Sequence, residues 1–319
     1  MLLTFTLLTN IILGAQSDPK IEVKDKTLRV VRVAMNWVPE PEFGGFYAAQ
    51  ISGIYEKHGL KVELMPGGAG SPTVQMLAAG RTEFAITSAS EIATSRSQGS
   101  DVVGIYSAFD TSPMGIMVHK SRKIKSIPDL LEKGGTLAIQ RGLPFAMMLE
   151  KKYGFSKMKI VPYAGGVANF VRDPEFAQQG FLFAEPLMAK KEGAESDFFL
   201  LADMGYNSYI EVLAVREQLI KKEEPIVRAM VEASREGWKL YLENPAPANE
   251  AMERLNRTMS PEIFSEAAKA QKVLIETEAF KKDGLGVMRE DRWKATIDQL
   301  VESKSLKKPI EAKSCFVNF

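Results

Sequence analysis

From about residue 28 onward, short β-branched runs alternate with stretches in which apolar residues recur at threes and fours. Residues 28–35 form the first such run, of strand type. A helix opens at Ala48-Ala49-Gln50-Ile51 and closes at Gly59, a residue suited to the left-handed turn after a helix. Residues 61–65 are a second strand, and a glycine-rich segment then leads into a helix over 72–79, with Pro72 just inside its start. Residues 81–86 and 102–108 are the third and fourth strands. A hydroxyl-rich helix start at Thr87-Ser88-Ala89-Ser90-Glu91 separates them. Residues 114–118 are extended, and the basic stretch 119–123 is expected to cross the surface between two lobes. A second unit follows, with strands over 136–140, 159–162, 180–183 and 198–202 and helices over 145–153 and 187–191. Residues 210–215 then run extended back to the first unit. From Glu217 the pattern is helical, with an amphipathic stretch over 226–242 broken by Asn244-Pro245. Further helices are expected from Ser260-Pro261-Glu262 and over 288–301, with Trp293 in the core. Strands alternating with helices imply an α/β fold with mostly parallel sheets and right-handed crossovers.

The segment between the first strand and first helix, Asn36-Trp37-Val38-Pro39-Glu40-Pro41-Glu42-Phe43-Gly44-Gly45-Phe46-Tyr47, concentrates the candidate chemistry. Ligands of open α/β sheets bind in loops at the carboxyl ends of strands. Here two prolines stiffen the loop and Gly44-Gly45 allow close backbone approach. Aromatic rings, two carboxyls and an amide suit a flat molecule with polar edges. Two readings stay open: a platform for such a molecule, or an aromatic plug over one end of the sheet. Ser88 is most simply a helix cap. Glu185, at the end of the 180–183 strand, either faces a ligand or caps the helix after it.

Composition narrows the classes. A chain of 319 residues has room for two lobes, and 45% apolar with 25% charged residues is an ordinary globular profile. A net charge of +1 leaves no electrostatic footprint for nucleic acid. The single cysteine, Cys315, excludes an intrachain disulfide and a thiolate-cluster metal site. With only His58 and His119 present, a multi-histidine metal centre is excluded as well. No catalytic triad, paired acid/base site or cofactor is indicated. Residues 1–16 read as a secretory signal with Leu13-Gly14-Ala15 at its end, although no basic residue precedes the apolar run. Residues 17–27 read as a linker.

Several words, in order, carry a family resemblance: Asn36-Trp37-Val38-Pro39, Gly45-Phe46-Tyr47-Ala48-Ala49, and Gly53-Ile54-Tyr55-Glu56-Lys57-His58-Gly59-Leu60. Gly67-Gly68, Ser126-Ile127-Pro128-Asp129-Leu130, Gly180-Phe181 with Glu185-Pro186, and Tyr206-Asn207-Ser208-Tyr209 extend it. Together they resemble the solute-binding proteins of ABC importers, in the branch that binds thiamine pyrimidine precursors and includes thiamine pyrimidine synthases. Binding proteins for sulfonates and riboflavin are related. The resemblance implies a type II periplasmic-binding-protein fold, with two α/β lobes joined by a two-strand hinge. The first lobe is expected over residues 28–117 and 212–319 and the second over 118–211. It further implies a monomer outside the cytoplasm that closes on a planar nitrogen heterocycle and delivers it to a membrane permease. Asn36, Trp37, Glu42, Phe43, Tyr47, Glu185 and Tyr206 are its implied contacts, with Ser88 and Asp110 beside them. Phe43 stands where many relatives carry histidine, which suggests a larger or more apolar ligand face. The alternatives are a synthase-like enzyme, a sulfonate binder and a sensor lobe. The enzyme needs a histidine nitrogen donor in the pocket beside a cysteine-rich iron site, and this chain lacks both features.

Overall fold

The computed structural model describes residues 27–319, so the proposed leader and nearly all of the linker lie outside the described residues. Among the described residues, ten strands form two five-stranded sheets: β1 (Arg29–Ala34), β2 (Leu60–Met65), β3 (Phe84–Thr87), β4 (Val102–Ser107), β5 (Met114–His119), β6 (Gly135–Ala138), β7 (Met158–Val161), β8 (Phe176–Phe181), β9 (Ser196–Leu200) and β10 (Val212–Arg216). The first sheet has the order β2-β1-β3-β10-β4 and the second β7-β6-β8-β5-β9. Pairing is parallel within β2-β1-β3 and within β7-β6-β8. In the first sheet β10 runs antiparallel to both of its neighbours, and in the second β5 does the same. The chain thus crosses between sheets twice, through residues 108–113 and 201–211. Each crossing delivers an antiparallel strand into the sheet it enters.

This corrects one expected boundary. Residues 114–117, assigned above to the first lobe, belong to the second sheet, where Gly115 pairs with Gly180 and Leu200. A side chain at Gly115 would collide with the Phe198 ring at 2.3 Å, so this seam needs glycine. The basic stretch is not a crossing. It is a single 3-10 turn, Lys120–Arg122, on the second lobe, where Lys120 faces Glu195 and Arg122 faces Glu175.

Gly44 and Gly45 also serve a different end from the one expected. A Cβ at either would lie 2.1 Å from the ring of Tyr241 or Trp238 respectively. The glycines let the helix Gly44–Ile51 pack against the 27-residue helix Glu217–Glu243, which in turn presents Gly237 to the backbone of Gly45. That long helix loses helical geometry at Glu223, two residues before Pro225, whose ring blocks the preceding turn. Phe46, Phe109, Trp238 and Tyr241 meet edge-on in the same core, with ring centroids about 6 Å apart. Trp293 is fully buried, as expected, and stacks on Phe316. Phe316 lies in the C-terminal strap, which pairs beside Gly104 through Cys315 and Val317.

Candidate functional site

A cavity of about 550 Å³ lies between the sheets. Its wall collects residues just past the carboxyl ends of parallel strands: Asn36 and Trp37 after β1, Ser88 after β3, Gln140 after β6, Tyr163 after β7 and Glu185 after β8. Glu211 and Met114 join from the amino ends of the two antiparallel strands, which point the opposite way and so reach the same rim. Both halves of the fold therefore present their ligand-bearing edges to one hollow, the place open α/β sheets offer for binding.

Trp37 spans the gap. Its indole stacks on the Tyr163 ring at 5.9 Å between centroids and 17° between planes, and its edge approaches Gly165. Tyr163 donates its hydroxyl hydrogen to Glu185, which also accepts the Phe181 backbone N–H at 2.6 Å. Gly180 lies directly beneath that carboxyl. Glu185 is also the first residue of the helix Glu185–Lys191, where its charge suits the helix N-terminus, but its side chain makes no capping hydrogen bond to that helix. Ser88 does two things: it forms a capping box with Glu91 and lines the cavity. The Tyr206 hydroxyl pairs with Ser90 at 2.9 Å, and Ser90 with Ser208 at 3.0 Å, which ties the second crossing to the first lobe.

Three expected contacts do not reach the cavity. Phe43 and Tyr47 point the other way, into the core around Trp238, at 0% and 2% exposure. For these two rings and Phe46 the plug reading wins, because the helix that carries them is held by the long helix behind it. Asp110 is absorbed by structure. Its carboxylate accepts from Arg289 at 3.1 Å, Arg292 at 3.3 Å and the Thr277 hydroxyl at 2.6 Å, and the Arg292 guanidinium lies 3.8 Å from the Tyr209 ring. A carboxylate with three donors has little left for a ligand.

Sequence reasoning missed Tyr163, Gln179 and Glu211, and counted Glu40 among the loop's carboxyls without naming it a contact. Gln179 sits inside a strand whose polar residues hid it: β8 begins at Phe176, not 180. Its side chain accepts from the Gln140 backbone N–H at 2.6 Å and donates to the Gln140 side chain at 2.9 Å. Glu211 has a backbone φ of +48°, a left-handed conformation costly for a side chain of this size. One of its oxygens accepts from Asn36 Nδ2 at 3.3 Å, and the other has no partner among the described residues. Glu42 Oε2 and Asn36 Oδ1 are unpartnered too.

The wall is strongly acidic. Glu40, Glu42, Glu91, Glu185 and Glu211 all line it, against one cation among the described residues, Arg141, whose Nε is held by Glu150 at 3.1 Å. Burial, then the neighbouring Glu185, raises Glu40 to about 8; its surface stays partly open to the cavity, but it lies deep among protein atoms. Burial raises Glu211 to about 8 against the pull of Asn36. Glu42 is held well above the usual range by burial and by Glu40 and Glu211, and Glu185 is raised by burial despite its two donors. Near neutral pH several of these groups hold a proton and can donate as well as accept. A carboxyl in that state pairs with an acceptor–donor edge, such as a ring nitrogen beside an amino group or a carbonyl beside a ring N–H.

Two lobes around a polar, ring-lined hollow define the class, the periplasmic-binding-protein fold. The chain belongs to the NMT1/THI5-like family, whose model matches residues 40–248. It is 26% identical to the riboflavin-binding protein RibY of Chloroflexus aurantiacus, over 92% of this chain and 86% of that one. It is 22% identical to the formylaminopyrimidine-binding protein of Halalkalibacterium halodurans, over 98% of this chain and 96% of that one. In three dimensions it is similar to the periplasmic aliphatic sulphonate-binding protein SsuA of Escherichia coli, with a TM-score of 0.66 at 13% identity over 90% of this chain and 91% of that one. That last likeness speaks to the fold alone.

Proposed function

We propose that this protein is the extracytoplasmic binding component of an ABC importer, carried out of the cytoplasm by residues 1–16. Its ligand is a planar nitrogen heterocycle, either a flavin or a thiamine pyrimidine precursor, held between the lobes and released to a membrane permease. The observation that carries this reading is the cavity wall: a Trp37–Tyr163 stack beside unpartnered carboxyl and amide atoms of Glu42, Glu211 and Asn36. Aromatic stacking contributes about 1–3 kcal/mol per base in nucleic-acid systems, a scale that carries over to a flavin or pyrimidine ring. Asn36, Trp37, Glu42, Ser88, Glu185 and Tyr206 are its contacts, joined by Tyr163, Glu40 and Glu211. The two relatives, named for a flavin and a pyrimidine, fit this chemistry. A cavity of about 550 Å³ falls in the range of about 300–1,000 Å³ that holds molecules of several rings, which favours the flavin.

Ligand contacts on both lobes shift the open–closed equilibrium toward closure. Closure is centred on the crossings at 108–113 and 201–211, with lobes over residues 27–113 plus 212–319 and over 114–211. The enzyme reading fares less well. His58 lies on the surface against Glu236 and Glu232, and His119 bonds the Phe170 carbonyl with its ring stacked on Phe170. Neither offers a nitrogen to the cavity. The acidic wall likewise disfavours a sulfonate. The test is a thermal-shift panel of riboflavin, an amino-pyrimidine alcohol, thiamine and an alkanesulfonate on the full chain. Ligand at about 100 times its Kd stabilises by about 2.7 kcal/mol, an upward shift of roughly 5 °C or more for a protein of this size. A shift with riboflavin or the pyrimidine is expected. No shift with either overturns the proposal.

A further inference from the structure

We infer that the carboxyl wall makes this cavity a charge filter: it admits the free heterocycle, neutral or protonated, and rejects the phosphate ester of the same compound. The inference rests on the function proposed above and adds a rule of selection to it.

Glu42 and Glu211, at 2% and 3% exposure, both belong to the cavity wall, and each has a buried oxygen without a partner among the described residues. Glu40 and Glu185 stand beside them, and Glu91 lies under the Ser88 cap. Among the described residues no lysine lines the hollow, and the one arginine there already pairs with Glu150 at the rim. The remaining polar groups do not reverse the sign. The Ser90–Tyr206–Ser208 hydroxyls satisfy one another, and Gln140 and Gln179 satisfy each other. A phosphate entering this space finds no free cation and meets carboxyls that ionise as pH rises. An amino group, a ring N–H or a ring cation finds acceptors in want of a donor. Above about pH 8, where Glu40 and Glu211 are ionised, like charges brought together across a dry contact cost several kcal/mol, so discrimination of about 100-fold or more is expected there.

The experiment is calorimetric titration of the full chain at about pH 9, above the raised values of Glu40 and Glu211, with riboflavin and riboflavin 5′-phosphate. A matched amino-pyrimidine alcohol and its phosphate ester form a second pair. For whichever parent compound binds, its ester should bind about 100-fold more weakly or worse. In a Glu40→Gln/Glu211→Gln variant that gap should narrow by about tenfold, because two sources of repulsion are gone while shape is kept. Glu40→Gln, at a position partly open to the cavity, provides a milder variant should the double one fail to fold, and it too should narrow the gap. An ester that binds as well as its parent overturns the filter and leaves the proposed function standing. A gap unchanged in folded variants also overturns it. If neither parent compound binds, the proposed function falls and the filter with it.

Discussion

Glu211→Gln isolates the cost of burying a carboxyl in the cavity wall. In the folded protein Glu211 is raised from an ordinary 4.5 to about 8, chiefly by burial, and Glu91 pushes in the same direction. The folded state therefore binds this proton more tightly than the unfolded chain does. The stabilisation is fully present below the unfolded value, declines as pH rises from about 4.5, and is gone once pH passes about 8. At about 1.4 kcal/mol for each tenfold in proton affinity, the ceiling on this loss is roughly 5 kcal/mol. Water admitted by the cavity solvates part of the charge, so a loss of about 3 kcal/mol is the expected scale. Glutamine keeps the size and the left-handed backbone but cannot ionise. Its own cost, an amide hydrogen with no acceptor, is about 1–3 kcal/mol and does not vary with pH. Urea unfolding of the ligand-free protein at intervals from about pH 5 to pH 8.5 separates the two. The variant should gain on the parent by about 3 kcal/mol across that window. Glu40, raised to a similar degree, leaves both proteins with a shared residual slope in the same direction. Parallel stability curves for variant and parent would mean that Glu211 is not held protonated by its surroundings, and the account of the wall would be wrong.

Two further outcomes follow from close contacts across the site. Gly180→Ala places a Cβ about 2.4 Å from Glu185 Oε2, so Glu185 must leave its seat between Tyr163 and the Phe181 N–H. Titration should show heterocycle affinity falling by about tenfold or more, while Gly68→Ala, where the space is open, leaves it near the parent value. On the outer rim, Lys191 of the second lobe reaches Ser260 at 2.5 Å and Glu262 at 2.9 Å in the first. Lys191→Ala should widen the ligand-free ensemble in small-angle scattering and weaken binding by less than about tenfold, since exposed pairs contribute little. An unchanged scattering profile would show that this clasp does not bias closure.

What the sequence could and could not express follows from the physics of each element. Strands and helices were legible because their apolar period reflects the face each one buries. Sheet membership was not: the run at 114–119 is apolar on both faces wherever it sits, and only its pairing with β8 and β9 assigns it. The aromatic loop misled for a related reason. Phe43, Tyr47 and Trp37 look alike as rings, yet a cavity and a core both want rings. The discriminating signal lay some two hundred residues away, where Gly237-Trp238 and Tyr241 fill the space opened by Gly44 and Gly45. Two of the missed residues did leave local traces. Tyr163 precedes Gly165-Gly166 just past the end of a strand, the same topological position as the loop after β1 and as fit to present a ring. Glu211 is a lone carboxylate directly before the apolar run 212–215 of a strand buried in the sheet, an unusual place for a charge. A buried acid in left-handed backbone, with one oxygen unmatched, works against stability at three levels at once: conformation, desolvation and hydrogen bonding. Such a residue fits the role proposed above for the cavity wall it belongs to, in which a bound ligand would offset part of that cost.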